Sequence, residues 1–185
     1  MIDEIKDDAG TRMDKTLNAL NAAFARIRTG RANPALLDTV SVEYFGTKVP
    51  VKQVASITVE EGRTLVVSPW EKSTLVDIER AIQGSDLGLT PTSNGEVIRL
   101  PLPPLTEENR RDLIRHARSE AEHARIAVRN IRRDAIHDVR ELMNEKLATE
   151  DEAHQAEREL QEITDNKVNS IDNELAIKEK DLLDF

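Results

Sequence analysis

Between Thr106 and Asn144 the apolar residues Ile114, Ala117, Ala121, Ala124, Val128, Ile131, Ala135, Val139 and Leu142 recur at spacings of three and four without a break. That is the signature of one amphipathic helix. About 40 helical residues span roughly 60 Å at 1.5 Å per residue, far beyond an ordinary globular helix. A stripe of that length must be covered by partners along all of it. Thr106 is a favourable N-cap, and Glu107 and Glu108 follow in the first turn, where carboxylates oppose the positive end of the helix dipole.

Both partners come from the ends of the chain. From Met1 to Thr29 the residues Ile2, Ile5, Ala9, Met13, Leu17, Leu20, Phe24 and Ile27 keep the same period, with Gly30 as a stop. Thr149 with Glu152 forms a capping box, opening a third helix whose stripe is Ala156, Leu160, Ile163, Ile171, Leu175 and Leu182. Three such helices can enclose one seam.

Residues 31 to 104 read differently and hold all seven prolines. Thr39 to Phe45, Val54 to Val59, Thr64 to Val67 and Val97 to Leu100 are β-branched stretches bounded by turn residues. Leu75, Ile78 and Ile82 share one face of a short helix closed by Gly84, and Asn94-Gly95 gives a turn. The pattern predicts an α+β protein of two domains. Residues 1–30 and 105–185 form a long antiparallel three-helix bundle, and 31–104 form a small inserted β/α/β domain. The chain crosses between them at Gly30-Arg31-Ala32-Asn33-Pro34 and Pro101-Leu102-Pro103-Pro104-Leu105. Proline restricts the residue before it and interrupts helix, so these two segments are the natural hinges.

Composition removes several classes. With no cysteine, the chain cannot be a disulfide-stapled scaffold, an iron–sulfur protein or a thiol-nucleophile enzyme. No run approaches the ~20 apolar residues of a membrane span, and MIDEIKDDAG carries acids where a signal peptide carries bases, so a cytoplasmic protein without membrane contact is expected. No P-loop, GxGxxG, HExxH, G-x-S-x-G or EF-hand pattern occurs.

A net charge of -9 argues at first against a nucleic-acid partner. The acidic excess, however, lies almost wholly after residue 147, whereas 110–133 carries eight arginines, no lysine and only Asp112, Glu120 and Glu122 as acids. With Ile114 at a heptad a position, Arg111, Arg118, Arg125 and Arg132 fall at e and Arg115 and Arg129 at b, with Arg110 and Arg133 extending the flank. Arginine's planar fork pairs bidentately with phosphate and stays charged at all relevant pH. Such a stripe matches a phosphate backbone, or it pairs in place with acids of the neighbouring helices; the residues leave both readings open. Arg26, Arg28 and Arg31 cluster where the antiparallel arrangement supplies no obvious acids, which favours the first reading.

Weaker candidates remain. His116, Glu120 and His123 fall at i, i+4 and i+7, a spacing two imidazoles and a carboxylate can use around a metal, but a solvated helix flank is the preferred reading. Trp70, after Ser68-Pro69, is expected as a half-buried anchor of the insert.

The runs Arg28-Thr29-Gly30-Arg31-Ala32, Val42-Glu43-Tyr44-Phe45-Gly46-Thr47, Pro101-Leu102-Pro103-Pro104-Leu105-Thr106-Glu107-Glu108 and Ala127-Val128-Arg129-Asn130-Ile131-Arg132-Arg133-Asp134-Ala135 stand in this order along the chain. Together they resemble bacterial ribosome recycling factor over the whole length, with Asn109 standing where the family is associated with a basic residue. The resemblance implies an elongated, L-shaped, tRNA-sized monomer that is not an enzyme and needs no cofactor or metal. It implies binding to large-subunit rRNA of the post-termination ribosome. Elongation factor G, which consumes the GTP, would press on the smaller domain to split the subunits and release mRNA and tRNA. By the same resemblance Arg132 comes first among the rRNA contacts, then Arg129, Arg133, Arg110 and Arg28, with Arg125 and Arg31 from the two arginine clusters. The rival classes are a free-standing RNA chaperone using the same stripe and a coiled-coil adaptor whose arginines pair in place.

Overall fold

The structure, a computed structural model, describes residues 1–184. Its order is α1 (Ile2–Arg26), β1 (Ser41–Tyr44), β2 (Thr47–Pro50), α2 (Val51–Val54), β3 (Ala55–Glu60), β4 (Thr64–Pro69), α3 (Leu75–Gln83), β5 (Thr92–Ser93), β6 (Ile98–Pro101), α4 (Glu107–Asn144) and α5 (Glu150–Leu183). The chain divides into two compact units, one of Met1–Phe24 with Ile114–Lys180 and one of Ala25–Leu113 with, among the described residues, 181–184.

The first unit is a three-helix bundle whose directions follow from its cross-helix pairs. Arg118 meets Glu179, Arg125 meets Asp172 and Arg140 meets Glu157, so α4 and α5 are antiparallel. Lys6 donates to Glu159 at 2.5 Å and Lys167 pairs with Asp14, so α1 runs parallel to α5. Arg12 meets Asp134, and Ile5, Ala9 and Arg12 line one groove with Leu142, Asp138 and Ala135, which sets α1 antiparallel to α4. The seam is built largely of small residues: Ala9, Ala117, Ala121, Ala124, Ala135, Ala153 and Ala156 are buried beside Met13, Leu20, Val128, Val139, Leu160 and Ile171. Alanine costs no side-chain entropy and lets helix axes approach closely.

The helix ends use the capping chemistry expected of them. Thr106 Oγ1 accepts from the Asn109 N–H at 3.1 Å. Thr149 Oγ1 accepts from the Glu152 N–H while the Glu152 carboxylate accepts from the Thr149 N–H, a complete capping box. At its other end α4 closes in a Schellman motif: Leu147 N–H reaches Leu142 O at 2.8 Å, Lys146 N–H reaches Met143 O, and Lys146 stands at φ +61°.

The second unit carries a four-stranded antiparallel sheet, β3-β4-β6-β5, and a separate β1-β2 hairpin. Its core joins Leu65, Val67, Ile98 and Leu100 from the sheet to Ile78 and Ile82 of α3 and to Leu36, Leu37 and Val42. Ala32 N–H donates to Gly62 O and Leu102 N–H to Arg63 O, so the chain on both sides of the insert is pinned to the same β3–β4 turn.

Three expectations need correction. α1 ends at Arg26 rather than Thr29, because Thr29 Oγ1 instead takes up the Arg31 N–H and the backbone leaves the helix, although Ile27 stays buried. The strand expected from Thr39 to Phe45 is a short strand turning at Phe45-Gly46, both at positive φ, into β2; a turn of helix, α2, follows. Trp70 is no half-buried anchor: it is 70% exposed, and the core of the insert is built from aliphatic side chains without it.

Candidate nucleic-acid interface

The arginines of α4 fall into two sets, and what stands opposite each on α5 separates them. Arg118 Nε donates to Glu179 at 2.6 Å. Arg125 is the most committed: it meets Asp172 at 2.7 Å and Glu122 at 2.9 Å, and its side chain is mostly buried. Burial disfavours its charge, but the two carboxylates outweigh this and hold its pKa above the ordinary range. Arg140 donates to Glu157, and Arg111 reaches back one turn to Glu107. Arg115 also has a partner. For these residues pairing in place is the observed state, and the stripe is not a continuous free cationic flank.

Arg129 and Arg133 differ. Both are exposed, and among the described residues neither makes a hydrogen bond or ion pair. Arg132, half-buried beside them, makes no ion pair either; its Nη1 donates to the amide oxygen Oε1 of Gln161 at 3.0 Å. Three adjacent guanidinium groups uncompensated by carboxylate thus occupy one surface of α4. A polyanion gains most from cations that have no internal partner to give up.

The other predicted contacts lie in the second unit. Arg110 Nη1 caps α5, donating to Leu183 O at 2.8 Å and to Leu182 O at 3.4 Å, carbonyls that lack helical partners. Arg26 and Arg31 each have a partner within the protein. Arg28 is unusual: its Nε and Nη2 are buried without any hydrogen-bond partner, and desolvation pulls its pKa below the ordinary range.

His116 lies 4.0 Å from Glu120 on the helix flank, and among the described residues no three His, Asp or Glu side chains are placed to hold a metal ion. No described helix is long and apolar enough to cross a membrane. Sequence reasoning missed Gln161 and Asp165. A signal for Asp165 existed in the heptad steps that carry 118 to 125 against 179 to 172, but the register between two helices is not written in either one.

Comparison with known proteins agrees with this architecture. A sequence model described as ribosome recycling factor matches residues 20–183. Ribosome-recycling factors of Nitrosococcus oceani and Alcanivorax borkumensis are 54% and 53% identical to the chain, over 100% and 99% of it and 98% and 99% of their own lengths. A solution structure of ribosome recycling factor superposes with a TM-score of 0.79 at 38% identity, covering 100% of this chain and 98% of the other. A second structure describes the T. thermophilus ribosome recycling factor and E. coli elongation factor G bound to the E. coli post-termination complex; it matches at a TM-score of 0.70 and 44% identity, over 99% of both chains. Matched along nearly its whole length by family model, close relatives and solved fold, the chain belongs to the ribosome recycling factor family.

Proposed function

We propose that this protein recycles bacterial ribosomes after termination, binding large-subunit rRNA in the post-termination complex through Arg129, Arg132 and Arg133. As a family member it is a non-enzymatic translation factor; elongation factor G supplies the GTP hydrolysis, and the subunits separate with release of mRNA and tRNA. The observation that carries the interface is the contrast along α4, where Arg118, Arg125 and Arg140 have carboxylate partners and these three do not. Arg28 and Arg110 are secondary contacts in this reading, on the strength of the family match alone, since Arg28 Nε and Nη2 are buried and Arg110 is engaged at the end of α5. Arg125 and Arg31, with internal partners, contribute least. The protein works as a monomer in the cytoplasm.

Motion is proposed at the two chain crossings, 30–34 and 101–105. Ala32 and Leu102 are hydrogen-bonded to the β3–β4 turn, Asn33 caps the short helix that Pro34 begins, and Pro101 ends β6. These bonds favour Gly30 and Arg31 on one strand and Pro103, Pro104 and Leu105 on the other as the pivots. The test is sedimentation of post-termination ribosomes with this protein, elongation factor G and GTP. Separated subunits are expected; intact ribosomes in the presence of active partner would overturn the function.

A further inference from the structure

α4 and α5 keep one register over much of their contact: stepping seven residues from Arg118 to Arg125 on α4 is matched by seven residues back, from Glu179 to Asp172, on α5. One more step takes Arg125 to Arg132 and Asp172 to Asp165. An acid therefore stands where the register calls for one, yet Arg132 is not paired with it. Instead Gln161 lies between them: its Oε1 accepts from Arg132 Nη1 at 3.0 Å, and its Nε2 donates to Asp165 Oδ1 at 2.8 Å. One amide occupies both groups, and its two ends satisfy opposite demands, acceptor toward the guanidinium and donor toward the carboxylate.

We infer that Gln161 is a positioning residue that keeps Arg132 available for phosphate by preventing its capture by Asp165. This rests on the proposed role of the Arg129–Arg132–Arg133 surface. A neutral amide orients the guanidinium while neutralising none of its charge and leaves most of its five N–H donors unused. Arg125, in ion-pair contact with both Asp172 and Glu122, shows the alternative state of an arginine on this helix. Capture would lower the cation count toward RNA by one without removing any arginine from the chain, which is why sequence alone does not expose it.

The test is a salt titration of binding to purified large ribosomal subunits, with side-chain NMR of Arg132 in the free protein. Arg132→Ala tests the surface itself: binding should weaken about tenfold at low salt, with the slope of log K against log salt falling by about 1. Gln161→Glu converts the amide to a carboxylate and should come close to that loss with Arg132 still present. Gln161→Ala should allow the Arg132–Asp165 pair, visible as slowed exchange of the guanidinium protons, and weaken binding several-fold. Adding Asp165→Asn to Gln161→Ala should restore affinity and slope. Wild-type binding by Gln161→Ala, or failure of the double variant to recover, overturns the role of Gln161 while leaving the surface intact. An unchanged Arg132→Ala overturns the surface, and with it the relevance of the amide to binding; the NMR exchange still decides whether Gln161 keeps Arg132 from Asp165.

Discussion

Arg125 of α4 and Asp172 of α5 meet at 2.7 Å, and one heptad further along α4 Arg132 meets an amide in place of a carboxylate. The two arginines occupy equivalent heptad positions and ought to respond differently to removal. Arg125→Ala should lower stability by about 1 kcal/mol or more, because it removes a mostly buried stem along with two ion pairs, and leave the salt dependence of ribosome binding unchanged. Arg129→Ala and Arg133→Ala should do the reverse, leaving stability within about 0.5 kcal/mol and each reducing the salt slope by about 1. Paired urea denaturation and binding titrations separate the two behaviours. Equal slopes for all three variants would remove the distinction.

Gly10 sits in the interior of α1, and a Cβ built on it meets nothing within 4 Å. Alanine there adds no clash and reduces the freedom of the unfolded chain. Gly10→Ala should stabilise the protein by about 1 kcal/mol, read as a higher urea midpoint at unchanged m-value. No gain would mean that α1 is not helical at this point in solution.

Lys146 holds φ +61° in the turn between α4 and α5, a conformation costly for any residue with a Cβ. Glycine is the favoured residue at this place in a Schellman motif. Lys146→Gly is expected to raise stability by about 0.5–1 kcal/mol, while Lys146→Val should lower it by more. Thermal melts of the two variants must move in opposite directions.

Two carboxylates predict the response to acid. The Arg140 guanidinium holds Glu157 below the usual carboxylate range, and hydrogen bonds from Lys6 and Gln155 do the same for Glu159. Groups whose folded pKa is depressed contribute stability above their unfolded pKa and lose it as pH falls through the folded one. The bundle should therefore be at full strength at neutral pH and weaken below the ordinary carboxylate value of 4.5. Glu157→Gln should flatten part of that acid limb in a plot of melting temperature against pH. An unchanged limb would place the acid sensitivity elsewhere.

The helices were legible because their information is local. Thr106 and Thr149 announce their helices through caps the structure contains, and Ala117 to Val139 record burial in their spacing. The hairpin was not, because β2 is only Thr47–Pro50 and ends on a proline that reads as a break. Trp70 misled because a large aromatic suits either a core or a contact, and only the folded insert, whose aliphatic core is built without it, decides. The arginine stripe was visible as a stripe; its division into committed and available cations required the α4–α5 register, which places Glu179 and Asp172 opposite arginines and Gln161 beside Arg132.

The contact between Lys6 and Glu159 closes a separation of 153 residues. During synthesis α1 emerges first, and at 5–20 residues per second its parallel neighbour follows about 8–30 s later. Through that interval Met13, Leu20 and Phe24 have no bundle to enter, while the second unit's sheet, complete at Pro101, already has all its strands. The nascent chain must therefore carry an unpartnered amphipathic helix for most of its translation. The acids at Asp3, Glu4, Asp7, Asp8 and Asp14, set against that apolar face, keep the waiting segment in water until its last neighbour arrives.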